Sequence, residues 1–139
     1  MELSHTTKMI SGILLITVPT IEFGGVTLLK MLKSGEHGYL DSPVRQNLFR
    51  AGHAHAGVLV ILSLVMQLFA DALALPNAWG AIARLGVPAA AILMPLGFFL
   101  SVASPRAQKP NGLIALVYAG AVLLAAGTLA LGVSLVMAA

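Results

Sequence analysis

Two histidines and an arginine stand close together near the start of an otherwise apolar segment. Arg50, His53 and His55 lie in the run Phe-Arg-Ala-Gly-His-Ala-His-Ala-Gly, residues 49–57. Ionisable side chains at membrane depth are rare, and each marks a candidate functional site. On an α-helix, two residues separated by one position point about 200° apart. One helix would therefore offer an imidazole to each of two different sites.

Neutral imidazole is a common protein ligand for haem iron, copper and zinc, which makes His53 and His55 candidate ligands. Because the two rings diverge, they are not expected to chelate one ion, a task suited to His-x-x-x-His spacing. The neighbouring small residues would leave clearance for a flat macrocycle or, equally, for a second helix; they are Ala51, Gly52, Ala54, Ala56 and Gly57. The alternative for either ring is a hydrogen bond to a nearby carbonyl.

Two further charged residues accompany the histidines. Arg50 precedes His53 by one turn, where its guanidinium could pair with haem propionates or anchor the helix at the membrane interface. Glu22 lies near the middle of the first apolar segment, after Pro19, whose missing N–H frees the carbonyl of Leu15. Its carboxyl group could relay protons, ligate a metal or hydrogen-bond to the kinked backbone. Glu22 is therefore a candidate proton site.

The composition places the chain in a membrane. Of 139 residues, 58% are hydrophobic and 9% are charged, and the mean hydropathy is +0.94. A soluble domain would have about a quarter of its residues charged. The net charge of +3 reflects Lys and Arg beside apolar segments, so we expect a lipid partner and no nucleic acid. The absence of cysteine excludes thiolate metal sites and covalently attached c-type haem.

Four apolar segments are long enough to cross a hydrocarbon core of about 30 Å. The sequence predicts an all-α integral membrane four-helix bundle, one multi-pass transmembrane domain (1–139) in the inner or plasma membrane. The helices are expected at about 8–32, 47–73, 79–103 and 111–137, which places His53 about 9 Å into the second span. Small residues at four-residue spacing, such as Ala121 and Ala125, favour close helix contacts within the monomer or between copies.

The segment Gly-His-Ala-His-Ala-Gly-Val-Leu-Val-Ile-Leu-Ser, residues 52–63, resembles the His-x-His helix of the catalytic subunit of haem-copper oxidases and nitric oxide reductases. In that family the two histidines hold two haems on opposite helix faces, and twelve helices form three four-helix arcs. The resemblance implies that this chain is a single arc that forms a homotrimer. His53 of one protomer would then face His55 of the next, giving up to three bis-His b haems. The family's copper-site His pair and cross-linked Tyr are missing here.

The leading function is a membrane b-type haem protein that transfers electrons, with a quinone or another redox partner, and with Arg50 as a haem-binding residue. The alternative is a small metal or proton transporter or channel subunit that uses Glu22 and the histidine pair, with copper or another metal in place of haem. A third hypothesis is a structural membrane subunit whose polar groups lock helix packing. Whether the protein is an enzyme stays open, as does its orientation, because the positive-inside count and the family resemblance give opposite answers.

Overall fold

Four long helices make up the protein in a computed structural model, which describes residues 2–35, 38–75 and 77–139. They are α1 (His5–Lys33), α2 (Pro43–Asp71), α3 (Asn77–Ser101) and α4 (Ala115–Met137), with a 3₁₀ turn at Gly112–Ile114 before α4. By length and composition, all four could cross a membrane. The predicted all-helical class is therefore confirmed, and the helices are those of an integral multi-pass membrane protein.

Serine caps start the first two helices earlier than the hydropathy pattern predicts. The Ser4 hydroxyl accepts a hydrogen bond from the Thr7 amide at 3.2 Å, and the Ser42 hydroxyl accepts one from the Arg45 amide at the same distance. Such side-chain caps satisfy amides that have no partner within the helix. Pro43 follows Ser42 as the first helical residue of α2, a position where its fixed φ and missing N–H are favourable. As α2 begins at 43 rather than 47, its histidines lie about one turn farther from the start of the helix than expected.

The helices pack in chain order, α1 on α2, α2 on α3 and α3 on α4. The four predicted helices thus form an open row, in which α1 is the least buried helix. We call the end where α1 and α3 finish the Lys33 end, and the opposite end the Asp71 end. Within the described ranges, the hydrophobic core lies among α2, α3 and α4. The position of the outer helix α1 therefore depends on fewer buried contacts than that of the other three helices.

Glycine lets α3 and α4 approach most closely. A Cβ atom built at Gly86 would lie 2.7 Å from the carbonyl oxygen of Leu123 and 2.9 Å from the Cα atom of Gly127. Both are backbone atoms, so they cannot make room by a side-chain rotation. The predicted small-residue packing within the monomer thus occurs, although it is centred on Gly86 and Gly127. Ala121 and Ala125, the pair singled out in the sequence, are exposed.

We expect Gly86→Ala to destabilise the fold by about 1 to 3 kcal/mol, the usual cost of inserting a methyl group into a packed contact. The measurement is the free energy of unfolding in detergent, followed by helical circular dichroism. Gly132→Ala is the matched control, because a Cβ atom there meets nothing within 4 Å. Equal stability of the two variants would contradict the close α3–α4 contact.

Arg45 connects neighbouring segments at the Lys33 end of the helix row. Its Nε donates to the carbonyl of Val102 at 3.2 Å, Nη1 donates to the carbonyl of Gly38 at 3.1 Å, and the guanidinium lies 4.7 Å from the ring centre of Phe49. The side chain is buried. Arg45 therefore joins the segment before α2 to the end of α3, and its charge does not act as a free membrane-flanking cation.

Candidate functional site

The two histidine rings contact different helices. His53 lies against Gly24 and Gly25 of α1, whereas His55 packs on Phe98 of α3 with the ring centres 5.0 Å apart. At 1.5 Å per residue, His53 is about 15 Å and His55 about 18 Å from Pro43 at the start of α2. Both rings are half-buried. Each imidazole thus has its own surroundings, at about the middle of the helix.

His55 is held in one orientation by its own helix. Its Nδ1 lies 2.7 Å from the carbonyl oxygen of Ala51, one turn earlier. Because a carbonyl only accepts, a neutral ring in this contact carries its proton on Nδ1 and leaves a lone pair on Nε2. A backbone hydrogen bond of this kind is the usual support of a histidine that binds a metal through its other nitrogen.

His53 turns its polar edge towards α1. A Cβ atom at Gly25 would lie 3.0 Å from both Cε1 and Nε2 of the ring, and one at Gly24 would lie 3.7 Å from Nδ1. No side chain or carbonyl in the described ranges forms a hydrogen bond with this ring. With α1 in this position, Gly25 lies close to Nε2 of His53, whereas Nε2 of His55 has no hydrogen-bond partner in the described residues. The two rings thus differ in their surroundings, and the ligand role of each stays a prediction.

An apolar cleft of about 470 Å³ lies between α1 and α3, with α2 behind it. His53 and Gly24 are among its lining residues, together with Thr20, Pro88 and Pro95. The Thr20 hydroxyl already donates to the carbonyl of Thr17 at 2.6 Å. Since the rest of the lining is largely apolar, His53 is the polar side chain in the cleft that has a hydrogen-bonding edge without a partner in the described structure. No sequence pattern predicts this cleft, because it depends on how α1 and α3 are placed relative to each other.

Arg50 and Glu22 are both exposed, and neither forms a hydrogen bond with a histidine among the described residues. The Arg50 guanidinium donates to Oε1 of Gln46 at 3.4 Å, one turn towards the Lys33 end. Glu22 is exposed and has no hydrogen bond or ion pair with any described residue. The structure thus leaves both side chains apart from the histidine pair, and their predicted roles stay predictions.

A polar cluster that the sequence reasoning missed lies at the Asp71 end. Arg84 forms an ion pair with Asp71 at 2.7 Å and also donates to the hydroxyl of Thr7 at 2.8 Å. Asp71 accepts from the amide and the hydroxyl of Ser4, which caps α1. Gln67 donates through Nε2 to the carbonyl of Arg84 at 2.8 Å, the carbonyl that Pro88 cannot reach because it has no N–H. This cluster ties together α1, α2 and α3.

The contacts of this cluster are hydrogen bonds and an ion pair that join three helices. Within the described ranges, no group of three or more His, Cys, Asp or Glu side chains is placed to hold a metal ion. Among the described residues, the one buried side-chain polar atom without a partner is Oε1 of Gln67.

Comparisons with protein-family models, with curated proteins and with solved structures find no match for the chain. The functional argument therefore depends on the geometry of the histidines and the cleft.

Proposed function

We propose that this chain is an integral membrane protein that binds a b-type haem and passes electrons, with His55 supplying an axial nitrogen. The observation that carries the proposal is the 2.7 Å contact between Nδ1 of His55 and the carbonyl of Ala51. It fixes the tautomer in which Nε2 is free to bind iron.

Partial exposure of His55 supports the same proposal. The residue is only half-buried, so part of the ring stays accessible to a ligand from outside the chain. Bound through two imidazoles, a haem has no open iron position and exchanges electrons rather than activating a ligand.

A second axial ligand has to come from elsewhere, because His53 and His55 of one chain face different helices. The resemblance to haem-copper oxidases suggests His53 of an adjacent protomer in a homotrimer. That arrangement requires α1 to move away from His53, since Gly25 occupies the space in front of Nε2. The sparse packing of α1 makes such a movement the least costly one in this fold.

The cleft supports a lipid-soluble electron carrier of the quinone class as the partner. Its volume of about 470 Å³ is within the range of about 300 to 1,000 Å³ typical of small-molecule sites. An apolar ring would fill the cleft, and a quinone oxygen would hydrogen-bond to the polar edge of His53. In this proposal the two histidines have separate roles: His55 binds the haem iron, and His53 hydrogen-bonds to the quinone in the cleft.

The alternative, a metal or proton transporter, has less support. It needs Glu22 and the histidines on one path, and no contact joins Glu22 to either ring in the described ranges. The proton role of Glu22 and a metal such as copper stay predictions from sequence.

Absorption spectra of the protein purified in detergent from haem-supplied cells test the proposed function. We expect a Soret band in the oxidised protein and sharp α and β bands after reduction with dithionite. A colourless protein with stoichiometric bound metal would instead favour the transporter. A protein without haem or metal would favour the structural subunit.

We expect His53→Leu to weaken binding of a short-chain quinone about fivefold, because one hydrogen bond contributes about 1 kcal/mol. Isothermal titration in detergent measures the dissociation constant. Thr20→Val is the matched control: Thr20 lines the same cleft, but its hydroxyl is already bonded to Thr17. Unchanged affinity in His53→Leu, or an equal loss in the two variants, would argue against the cleft as the quinone site.

A further inference from the structure

Glu22 and Arg50 are opposite charges left on the outer surface of the helix row. Glu22 has no polar partner in the described structure, and the one hydrogen bond of Arg50 there is to the uncharged amide of Gln46. Glu22 lies 11 residues before Lys33 and Arg50 lies 7 residues after Pro43, about 16 and 10 Å from the same end of the row. Charged side chains at such depths pair with one another or face a protein interior.

Each charge belongs to an exposed helix face, with Glu22 in the middle of one and Arg50 at the end of the other. On α1 the face comprises residues spaced by three or four positions around Glu22, namely Leu15, Val18, Val26 and Leu29, all exposed. We call it the Glu22 face. On α2 the corresponding row is Arg50, Ala54, Gly57 and Ile61, which we call the Arg50 face. Ala54 and Ile61 are exposed and a Cβ atom at Gly57 meets open space.

The two faces complement one another in charge and in shape. The Glu22 face has branched apolar side chains on both sides of its carboxyl group. The Arg50 face has small residues beyond its guanidinium, and small residues allow two helices to approach closely in a membrane. Because copies inserted in the same direction share one depth scale, an extended arginine spans the axial offset of about 6 Å.

We propose that the chain self-associates by docking the Glu22 face of one copy on the Arg50 face of the next, with an ion pair between these residues. The occupant of each face is thus a second copy of this chain. Such a contact either forms twice, reciprocally, about a two-fold axis or runs head-to-tail and closes into a ring when its rotation permits. This gives Arg50 a protein carboxylate as its partner in place of haem propionates, and it does not depend on haem.

Disulfide trapping tests the contact, and the chain offers a clean background because it contains no cysteine. Val18 lies 15 residues before Lys33 and Gly57 lies 14 residues after Pro43, so the two faces bring these positions to about the same depth. Differently tagged Val18→Cys and Gly57→Cys chains would be co-expressed and oxidised in membranes. We expect a mixed disulfide dimer, and none when either variant is expressed alone. Val122→Cys on the exposed side of α4 replaces Gly57→Cys as the control and should give no dimer.

Charge reversal shows whether the ion pair directs the contact. In the same cysteine pair, Glu22→Arg alone or Arg50→Glu alone should reduce the mixed dimer at least fivefold, and the two changes together should restore it. Helical circular dichroism shows that each variant is folded. Absence of the mixed dimer with both charges intact would overturn the proposal, as would a dimer that is insensitive to charge. We expect the same dimer in haem-free protein, so this experiment tests the contact independently of haem binding.

Discussion

His55→Ala should abolish haem binding. The substitution removes both the free Nε2 and the Nδ1 contact of 2.7 Å with Ala51 that orients the ring. Loss of a residue that only hydrogen-bonds to a metal ligand lowers metal affinity about 10- to 100-fold. Because His55→Ala removes the ligand itself, we expect a larger loss of haem affinity. The measurement is the haem-to-protein ratio after purification from haem-supplied cells, read from the Soret band.

His5→Ala is the matched control, because His5 is an exposed histidine at the start of α1. It should retain the haem content of the unaltered protein. His53→Ala distinguishes the two models of the second ligand: haem loss equal to that of His55→Ala indicates a shared bis-His site, and retained haem indicates a role confined to the cleft. Full haem content in His55→Ala would contradict the assignment of His55.

Asp71→Ala should cause the largest loss of stability of the substitutions considered. The side chains of Asp71 and Arg84 are 4% and 18% exposed, respectively. Removing one partner of a fully buried ion pair costs about 3 to 5 kcal/mol. Because this pair is only partly buried, we expect a loss at or below the lower end of that range. Asp71→Ala also removes the acceptor for the Ser4 amide at 2.9 Å, so the start of α1 loses its support. The measurement is the free energy of unfolding in detergent.

The double variant Asp71→Ala/Arg84→Ala separates the ion pair from the other contacts. We expect it to cost less than the sum of the two single variants, with a coupling energy of about 0.5 to 3 kcal/mol. Lys109→Ala, in an exposed loop, should change stability by no more than about 0.5 kcal/mol. If the losses in the free energy of unfolding of the two single variants add up to that of the double variant, the Asp71–Arg84 contact does not stabilise the fold.

The fold class was predictable because hydrophobicity alone decides it. Four apolar stretches of sufficient length leave few alternatives in a membrane. The start of α2 was placed four residues late, because the hydropathy pattern begins at Asn47 whereas the helix begins at the Ser42 cap and Pro43. That difference moved the expected depth of His53 from about 9 to about 15 Å.

The divergence of the histidines was predictable, because it follows from helical geometry, but the neighbours of each ring were not. Contact of His53 with Gly25 and of His55 with Phe98 depends on how three helices are placed. Asp71 and Arg84 lie near the ends of two successive spans, and the hydropathy pattern alone does not pair them. Their separation of 13 residues across a short connection between antiparallel helices was the signal that could have paired them.

Electron paramagnetic resonance of the oxidised protein tests most directly whether Nε2 of His55 binds haem iron. A low-spin ferric signal is expected from the unaltered protein, since two imidazole ligands produce a low-spin iron. In His55→Ala reconstituted with added haem, the account predicts that this signal disappears or converts to a high-spin one. A low-spin signal that is identical in the two proteins, or no haem signal in the unaltered protein, would contradict it.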